Sequence, residues 1–289
     1  MIDVLRHSAP APPLIAAGAL GGPVVIASLT PLRNAMSNAA QDQLSSYTQL
    51  YRKALAGSTI GGRLRVGFTG ALVSAGPASP QWCMIGPAFH VFHTYLPTPA
   101  ALLATASLET FITFGSQTRN AQMAYNVQAP EAAVPLSNIL RPWGPGAAFY
   151  VLRNMCGMAG IRWLSPPLQE ALHPVLPSGP REIAADMVAS MFTCIVSSPL
   201  NACWSYIATT PSTWHMSAAQ SAAALGPFLR RQYLDPTTGT LSKLAARDLA
   251  VRATYIACCF SMFACIERLA LKHWPWKVWT APPQGGKAA

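Results

Sequence analysis

The chain has 289 residues, of which 51% are hydrophobic and only 10% are Asp, Glu, Lys or Arg, and its formal net charge is +10. An ordinary water-soluble domain carries about 25% charged residues, so the composition argues against one and predicts a multi-pass membrane protein. Two uncharged runs, Val66 to Leu108 and Met187 to Leu229, are each long enough for at least one of the roughly 20-residue helices that cross a bilayer.

Six apolar segments predict six membrane-spanning helices, and in chain order they are 12–36, 67–96, 100–122, 146–164, 183–209 and 245–273. Two short surface helices are expected in the polar connectors, at Gln41 to Leu55 and at Met216 to Leu229. Tryptophans follow the sixth span, where a membrane interface favours them; these are Trp274, Trp276 and Trp279.

Lysines and arginines concentrate in alternate connectors of this arrangement. The basic connectors carry Arg52, Lys53, Arg63 and Arg65, then Arg119 and Arg141, then Arg230, Arg231 and Lys243. The intervening connectors hold only Arg181. This asymmetry fixes orientation in a membrane, so we expect the basic connectors on the side of synthesis or, in an organelle, in the matrix. Because no aromatic and basic recognition motif accompanies the charge, we expect no nucleic-acid partner.

The sequence offers no catalytic constellation and no metal site. Its seven cysteines lie in apolar stretches, form no CxxC pair and have no histidine at ligand spacing, which is typical of small buried side chains. There is no glycine-rich phosphate loop and no Ser-His-Asp set in a favourable order. The prediction is therefore a protein that is not an enzyme and needs no cofactor. The segment from Met1 to Pro13 resembles neither a signal peptide nor an amphipathic presequence.

Helix-breaking residues recur at even spacing within three of the apolar runs. Pro31 and Pro199 stand in Thr-Pro-Leu and Ser-Pro-Leu, and Gly115 lies halfway between them, 84 positions from each. A proline or glycine inside a hydrophobic helix frees a backbone group and bends the helix. The spacing predicts three bent helices around a common axis.

This arrangement of helix, basic connector and helix, repeated three times, resembles the mitochondrial carrier family. The matching pieces are Thr30-Pro31-Leu32, Gly67 to Leu72, Gly146 to Arg162, Ser198-Pro199-Leu200 and the last helix from Arg247 to Arg268. The resemblance implies an all-α membrane protein with six transmembrane helices in three pseudo-threefold repeats, located in the mitochondrial inner membrane. The repeats would be 12–97, 98–181 and 182–273, between an N-terminal tail at 1–11 and a C-terminal tail at 274–289.

The chain departs from the carrier motif Pro-x-Asp/Glu-x-x-Lys/Arg at its charged positions. The acidic position holds Arg33, Gln117 and Asn201, and the basic position holds Met36, Asn120 and Trp204. The interhelical ion pairs that the resemblance implies for a gate on the matrix side cannot form between these residues. On the even-numbered helices only Glu267 falls near the family's acidic position of the opposite gate.

Charged residues inside the predicted spans are further site candidates, because ionisable groups in a bilayer are costly and face a cavity or each other. One interpretation makes Arg153, Arg162 and Arg252 an anion-attracting set, together with Glu109, in a central cavity. The other pairs Glu109 with one arginine and lets the remaining arginines extend to the interface. His90 and His93, three residues apart on one helix, could bind a metal or relay a proton, but such histidines are more often polar members of a packed interior.

Two functions remain on the sequence alone. The first is a carrier-like protein that no longer transports and serves as an accessory structural subunit of a large inner-membrane assembly, such as a respiratory or ATP synthase complex. The second is an active transporter of an organic anion whose gate uses Gln117, Asn120 and Asn201. Membrane lipids are expected partners in both, and bound cardiolipin is what the resemblance implies at the matrix ends of the helices.

Overall fold

The computed structural model describes residues 12–41, 45–69, 71–128 and 130–274. The tail predicted at 1–11 lies outside these ranges, as does the tail predicted at 274–289 except for Trp274; Trp276 and Trp279 are therefore not among the described residues. The described part is all-helical apart from one β-bridge between Leu234 and Leu241. Its helices are α1 (Pro12–Ala16), α2 (Gly22–Ser28), α3 (Thr30–Gln41), α4 (Tyr47–Ala54), α5 (Ile60–Gly67), α6 (Ala71–Tyr95), α7 (Thr98–Gln128), α8 (Ala147–Ala159), α9 (Ser165–Leu172), α10 (Ser178–Thr209), α11 (Ala218–Tyr233) and α12 (Lys243–His273), with π-helical turns at Ala17–Gly21 and Gly160–Leu164.

The long helices combine into six rods within the described ranges. Rod 1 is α1, a π-helical turn, α2 and α3; rod 2 is α6; rod 3 is α7; rod 4 is α8, a π-helical turn and α9; rod 5 is α10; rod 6 is α12. Each rod packs against the next in the chain, and rod 6 packs back against rod 1. The rods therefore form a closed ring.

The connector helices lie at one end of this ring, which we call the basic end. Helices α4, α5 and α11 join rod 1 to rod 2 and rod 5 to rod 6, and they carry exposed Arg and Lys side chains. Rods 2 and 3 are joined at the other end by only Leu96 and Pro97. The predicted surface helices are confirmed, with bounds shifted by a few residues, as α4 and α11.

Rod 1 is bent as the sequence predicts. The two parts of the rod, Pro12–Ser28 and Thr30–Met36, meet at an angle of 59°. Leu29 leaves the helical conformation, with a ψ of 10°. The cause is Pro31, which has no backbone N–H to donate to the carbonyl of Ala27 and whose ring crowds the preceding turn.

Gly115 and Pro199, unlike Pro31, do not interrupt their helices. Helix α7 continues through Gly115 and α10 continues through Pro199. The missing N–H of Pro199 leaves the carbonyl of Ile195 without its helical donor. The hydroxyls of Ser197 and Ser198 both donate to the neighbouring carbonyl of Cys194, at 3.2 and 2.8 Å. Gly115 lies where the connector between rods 3 and 4 packs against rod 3.

Rods 5 and 6 are long and apolar enough to cross a membrane, and rod 1 also qualifies if its bent halves count as one span. Rods 2, 3 and 4 do not meet both conditions of length and hydropathy in the described part, because polar and small residues interrupt their apolar runs. The outer face of rod 5 has the pattern expected against lipid. Val188, Phe192 and Ile195 share one helical stripe and are 53%, 60% and 53% exposed.

Several apolar clusters fill the space between neighbouring rods, and three of them are the following. Val25, Trp82 and Phe263 join rods 1, 2 and 6. A second cluster joins rods 2, 3 and 4 around Leu102 and Met158. The third joins rods 3, 4 and 5 and is built from Phe114, Ala147, Tyr150 and Trp204. The core therefore follows the wall of the ring.

Candidate functional site

Away from the basic end, charged residues that link the rods lie in two groups, one near the opposite end of the ring and one nearer its middle. At the opposite end, the guanidinium of Arg162 on rod 4 donates to the carboxylate of Glu267 on rod 6. Glu267 is 2% exposed, and the Arg162 guanidinium also lies 5.6 Å from the ring centre of Phe89. Arg162 belongs to the π-helical turn Gly160–Leu164, a local widening of the helix that changes where a side chain points.

A second ion-pair network links rods 4, 5 and 6 at the same end. Arg268 donates to Asp186 at 2.7 Å and pairs with Glu182 at 3.0 Å. The hydroxyl of Ser165 donates to the other oxygen of Asp186, which is 1% exposed. Buried carboxylates persist only when paired or hydrogen-bonded, and here both conditions are met. This network was not predicted as a site.

Arg153 dominates the second group. Its guanidinium donates to Asn201 on rod 5 at 2.9 Å and to its neighbour Asn154 at 2.8 and 3.1 Å. The same guanidinium lies 4.0 Å from the ring centre of Tyr150 and 5.1 Å from that of Trp204. These aromatic faces attract the cation. Protein groups therefore hold the Arg153 side chain in place.

Glu109 lies buried between rods 2 and 3. Its carboxylate accepts a hydrogen bond from Gln81 at 2.7 Å, so its direct partner is an amide and not one of the arginines. Of the two interpretations from the sequence, the structure matches neither fully. Arg162 has its own carboxylate on rod 6, and Arg153 is bound by asparagines.

Arg252 on rod 6 is different, because it lines a cavity of about 520 Å³ near the basic end. Its Nε is buried without a hydrogen-bond partner, and within the described ranges it forms no ion pair. The cavity is partly open and is bordered by rods 3, 5 and 6 and by α11. Its polar lining includes Tyr125, Ser198, Asn201, Gln232, Tyr233, Asp248 and Arg252. The three arginines therefore do not converge on one cavity.

Six residues stand at the charged positions of the carrier motif but lack the charge that the motif has there, and they lie at separate places between the rods. Met36 packs with Ala35, Leu50 and Val251, where rod 1 meets α4 and rod 6. Trp204 is 6% exposed in the cluster between rods 3, 4 and 5. Of the remaining positions, Asn201 binds Arg153, Asn120 is exposed, and Arg33 and Gln117 are half-buried. None of the six carries a carboxylate, so no ion pair can join them.

The two histidines of rod 2, His90 and His93, lie in different surroundings. The ring of His93 is stacked on Phe89 with 5.2 Å between ring centres, and its Nε2 lies 3.1 Å from the hydroxyl of Thr98. The Nε2 of His90 is buried without a hydrogen-bond partner. Among the residues that the structure describes, no three His, Cys, Asp or Glu side chains come together as they would around a metal ion.

The connector from residue 133 to residue 146, which we call the strap, was not recognised from the sequence. It runs back along rod 3 in a non-helical conformation. Asn126 bonds both backbone groups of Val134, at 2.8 and 2.9 Å. Gln122 accepts from the N–H of Ser137 at 2.7 Å and donates to the carbonyl of Ala208 on rod 5 at 3.0 Å.

Gly115 is the residue that lets the strap approach rod 3 most closely. A Cβ at this position would lie 2.6 Å from the carbonyl oxygens of both Asn138 and Ile139. Gly115, Gln122 and Asn126 are spaced by seven and four residues, so they share one face of the helix. Two amide side chains at helical spacing from a glycine were the only sequence signal for this contact.

No protein-family model matches the chain, and no curated protein is significantly similar to it in sequence.

Proposed function

We propose that this chain is a multi-pass protein of the mitochondrial inner membrane, similar in architecture to mitochondrial carriers, that serves as a non-transporting structural subunit of a large membrane complex. In this proposal the six rods are six spans in three repeats, and the basic end faces the matrix. The closed ring, the bend at Pro31 and the basic connectors at one end support it.

The observation that carries the proposal is that polar side chains form hydrogen bonds and ion pairs between the rods, both near the end opposite the basic end and nearer the middle of the ring. Arg162 and Glu267 join rods 4 and 6. Arg153 joins rod 4 to Asn201 on rod 5, and Gln122 joins rod 3, the strap and rod 5. A transporter must alternate between states that differ in their contacts by a few kcal/mol. Here two of the three arginines that would attract a solute, Arg153 and Arg162, are held by protein groups, and the gate positions hold no pair of opposite charges to exchange.

Further ties occur where rod 6 closes the ring against rod 1. Arg247 donates to the carbonyl of Ala39 at 2.9 Å and to that of Ser45 at 2.6 Å. Its guanidinium also pairs with Asp248. A charge-assisted bond to a carbonyl is stronger than a neutral one, so this contact holds the basic end of rod 1 to rod 6.

The second candidate function is transport of an organic anion, and the cavity beside Arg252 favours it. A solute could enter from the basic end and meet a cation that has no carboxylate partner. Movement to the other side would then require Arg153 to leave Asn201 and Arg162 to leave Glu267. This sequence of events makes transport the weaker proposal.

Purified protein reconstituted into liposomes tests the absence of transport. We expect uptake of radiolabelled phosphate, citrate and glutamate to equal uptake by protein-free liposomes, with or without the same anion inside. Saturable uptake that is lost in Arg153→Gln would contradict the proposal and favour the second candidate. Protein orientation and folding are controlled by protease protection of the same vesicles.

A further inference from the structure

The cavity near the basic end has the size and chemistry of a ligand site. A volume of about 520 Å³ falls within the range of roughly 300–1,000 Å³ that is typical of small-molecule sites. Its wall combines rods 3, 5 and 6 with the connector helix α11. The cavity is therefore not confined to the rods of the ring, because a surface helix forms part of it.

The electrostatics of this cavity favour an anion. Arg252 interacts with the thiol of Cys194, and the phenol of Tyr233 and the guanidinium of Arg153 are close enough to act on its charge. The one carboxylate in the lining is Asp248, and it accepts bonds from Arg247 at 2.6 and 2.8 Å. A guanidinium whose Nε is buried without a hydrogen-bond partner and that has no carboxylate partner is costly. A ligand that brings negative oxygens would remove that cost.

Neutral donors surround Arg252 and can complete an anion site. The Oδ1 of Asn201 accepts from Arg153, which leaves the amide N–H groups of Asn201 to donate into the cavity. The hydroxyls of Ser205 and Tyr233 also line it. An arginine with several neutral donors suits the planar oxygens of a carboxylate or the oxygens of a phosphate.

An apolar wall lies beside the polar one. The rings of Tyr206 on rod 5 and Phe228 on α11 are stacked with 4.4 Å between their centres, and both line the cavity. The lining therefore offers one charged side and one aromatic side. Such a combination orients a ligand that carries an anionic group on an apolar or cyclic body.

We infer that this cavity binds an organic anion, whose carboxylate or phosphate group is held by Arg252 and whose apolar part packs on Tyr206 and Phe228. The same chemistry is offered by a soluble organic acid or phosphate ester and by the headgroup of an anionic lipid. The inference goes beyond the proposed function and is compatible with both candidates. A structural subunit would keep the anion as a resident ligand, and a transporter would release it. Binding is measured on the isolated protein, so its failure and the failure of the assembly proposal are distinguishable.

The first experiment measures thermal unfolding of the detergent-purified protein with phosphate, citrate or phenyl phosphate, each against sodium chloride of the same ionic strength. A ligand at a concentration well above its Kd should raise the melting temperature of the wild type by about 5 °C. Phosphatidylglycerol in the detergent micelle is tested in the same way, with phosphatidylcholine as its neutral control. Arg252→Gln should abolish the rise, whereas Arg230→Gln, which removes an exposed charge from α11 outside the lining, should retain it.

A second measurement keeps the inference testable if ligands are weak or if the preparation retains one. In protein freed of lipid and anions, Arg252→Gln should melt at the same or a higher temperature than the wild type, because it removes an unpaired cation. A lower melting temperature would show that Arg252 is a structural residue and would overturn the inference. An equal response of the wild type and Arg252→Gln to every probe would also overturn it. A rise that depends on Arg252 but occurs only with phosphatidylglycerol would support the site and assign its phosphate to a lipid.

Discussion

Replacing Glu267 by glutamine tests the ion pair between Arg162 on rod 4 and Glu267 on rod 6. Glu267 is 2% exposed, and the side chain of its partner Arg162 is 21% exposed. Removing one charge of a buried pair costs about 3–5 kcal/mol, because the other charge remains without compensation. Water reaches part of Arg162 and lowers that cost, so we expect Glu267→Gln to lose about 2–3 kcal/mol of unfolding free energy.

This loss corresponds to a melting temperature about 5–10 °C lower, which tryptophan fluorescence of the protein in detergent can follow. The matched control is Glu170→Gln, since Glu170 is exposed on α9. A double-mutant cycle with Arg162→Gln should give a coupling energy of about 1 kcal/mol or more. The account of the ring would be wrong if Glu267→Gln melted within 1 °C of the Glu170→Gln control, a margin far smaller than the expected shift.

Three further predictions concern the strap and the orientation of the chain. Gly115→Ala should lose about 1–3 kcal/mol through overpacking against the strap and make the strap more sensitive to protease; Gly179→Ala, which has no atom within 4 Å of the added Cβ, should change neither. Gln122→Leu should cost about 2 kcal/mol in chemical or thermal unfolding, because it leaves the partly buried N–H of Ser137 in the strap and the carbonyl of the buried Ala208 on rod 5 without this partner. On a cysteine-free background, single cysteines replacing Glu170 and Arg230 should react with a membrane-impermeant maleimide from opposite sides of sealed vesicles; reaction of both from one side would contradict the orientation.

Local features of the fold could be predicted from the sequence. Pro31 inside an apolar run predicts a bend, because the missing N–H and the proline ring disturb only the preceding turn of the same helix. The surface helices α4 and α11 follow from polar connectors that end in basic residues, in accordance with the helix dipole. Long uncharged runs likewise predict rod 5, whose outer face is apolar.

The same local reasoning fails where a residue serves a distant segment. Gly115 has the composition of a helix breaker, but α7 continues through it because the glycine receives the strap. Pro199 lies inside α10, which continues past it to Thr209. A pattern of single residues cannot distinguish a bend from a close approach, since the difference depends on what packs against the helix.

In the candidate site, too, the residues could be predicted from the sequence but their partners could not. The sequence identifies Arg153, Arg162, Arg252, Glu109 and Glu267 as the costly charges of the apolar segments. It does not reveal that Arg162 finds Glu267, because 105 residues separate them in the chain and the π-helical turn sets the direction of Arg162. Only the packing of the rods distinguishes the paired arginine from Arg252.

The apparent mass of this chain after extraction from its membrane with a mild detergent tests the central proposal most directly. The extract is resolved on a native gel and probed for this chain, with a mitochondrial carrier that does not belong to a complex as a control. We predict that the chain migrates with a complex of respiratory or ATP synthase size, while the control carrier does not. Migration only as a free particle near 30.7 kDa plus detergent would contradict the role as a structural subunit.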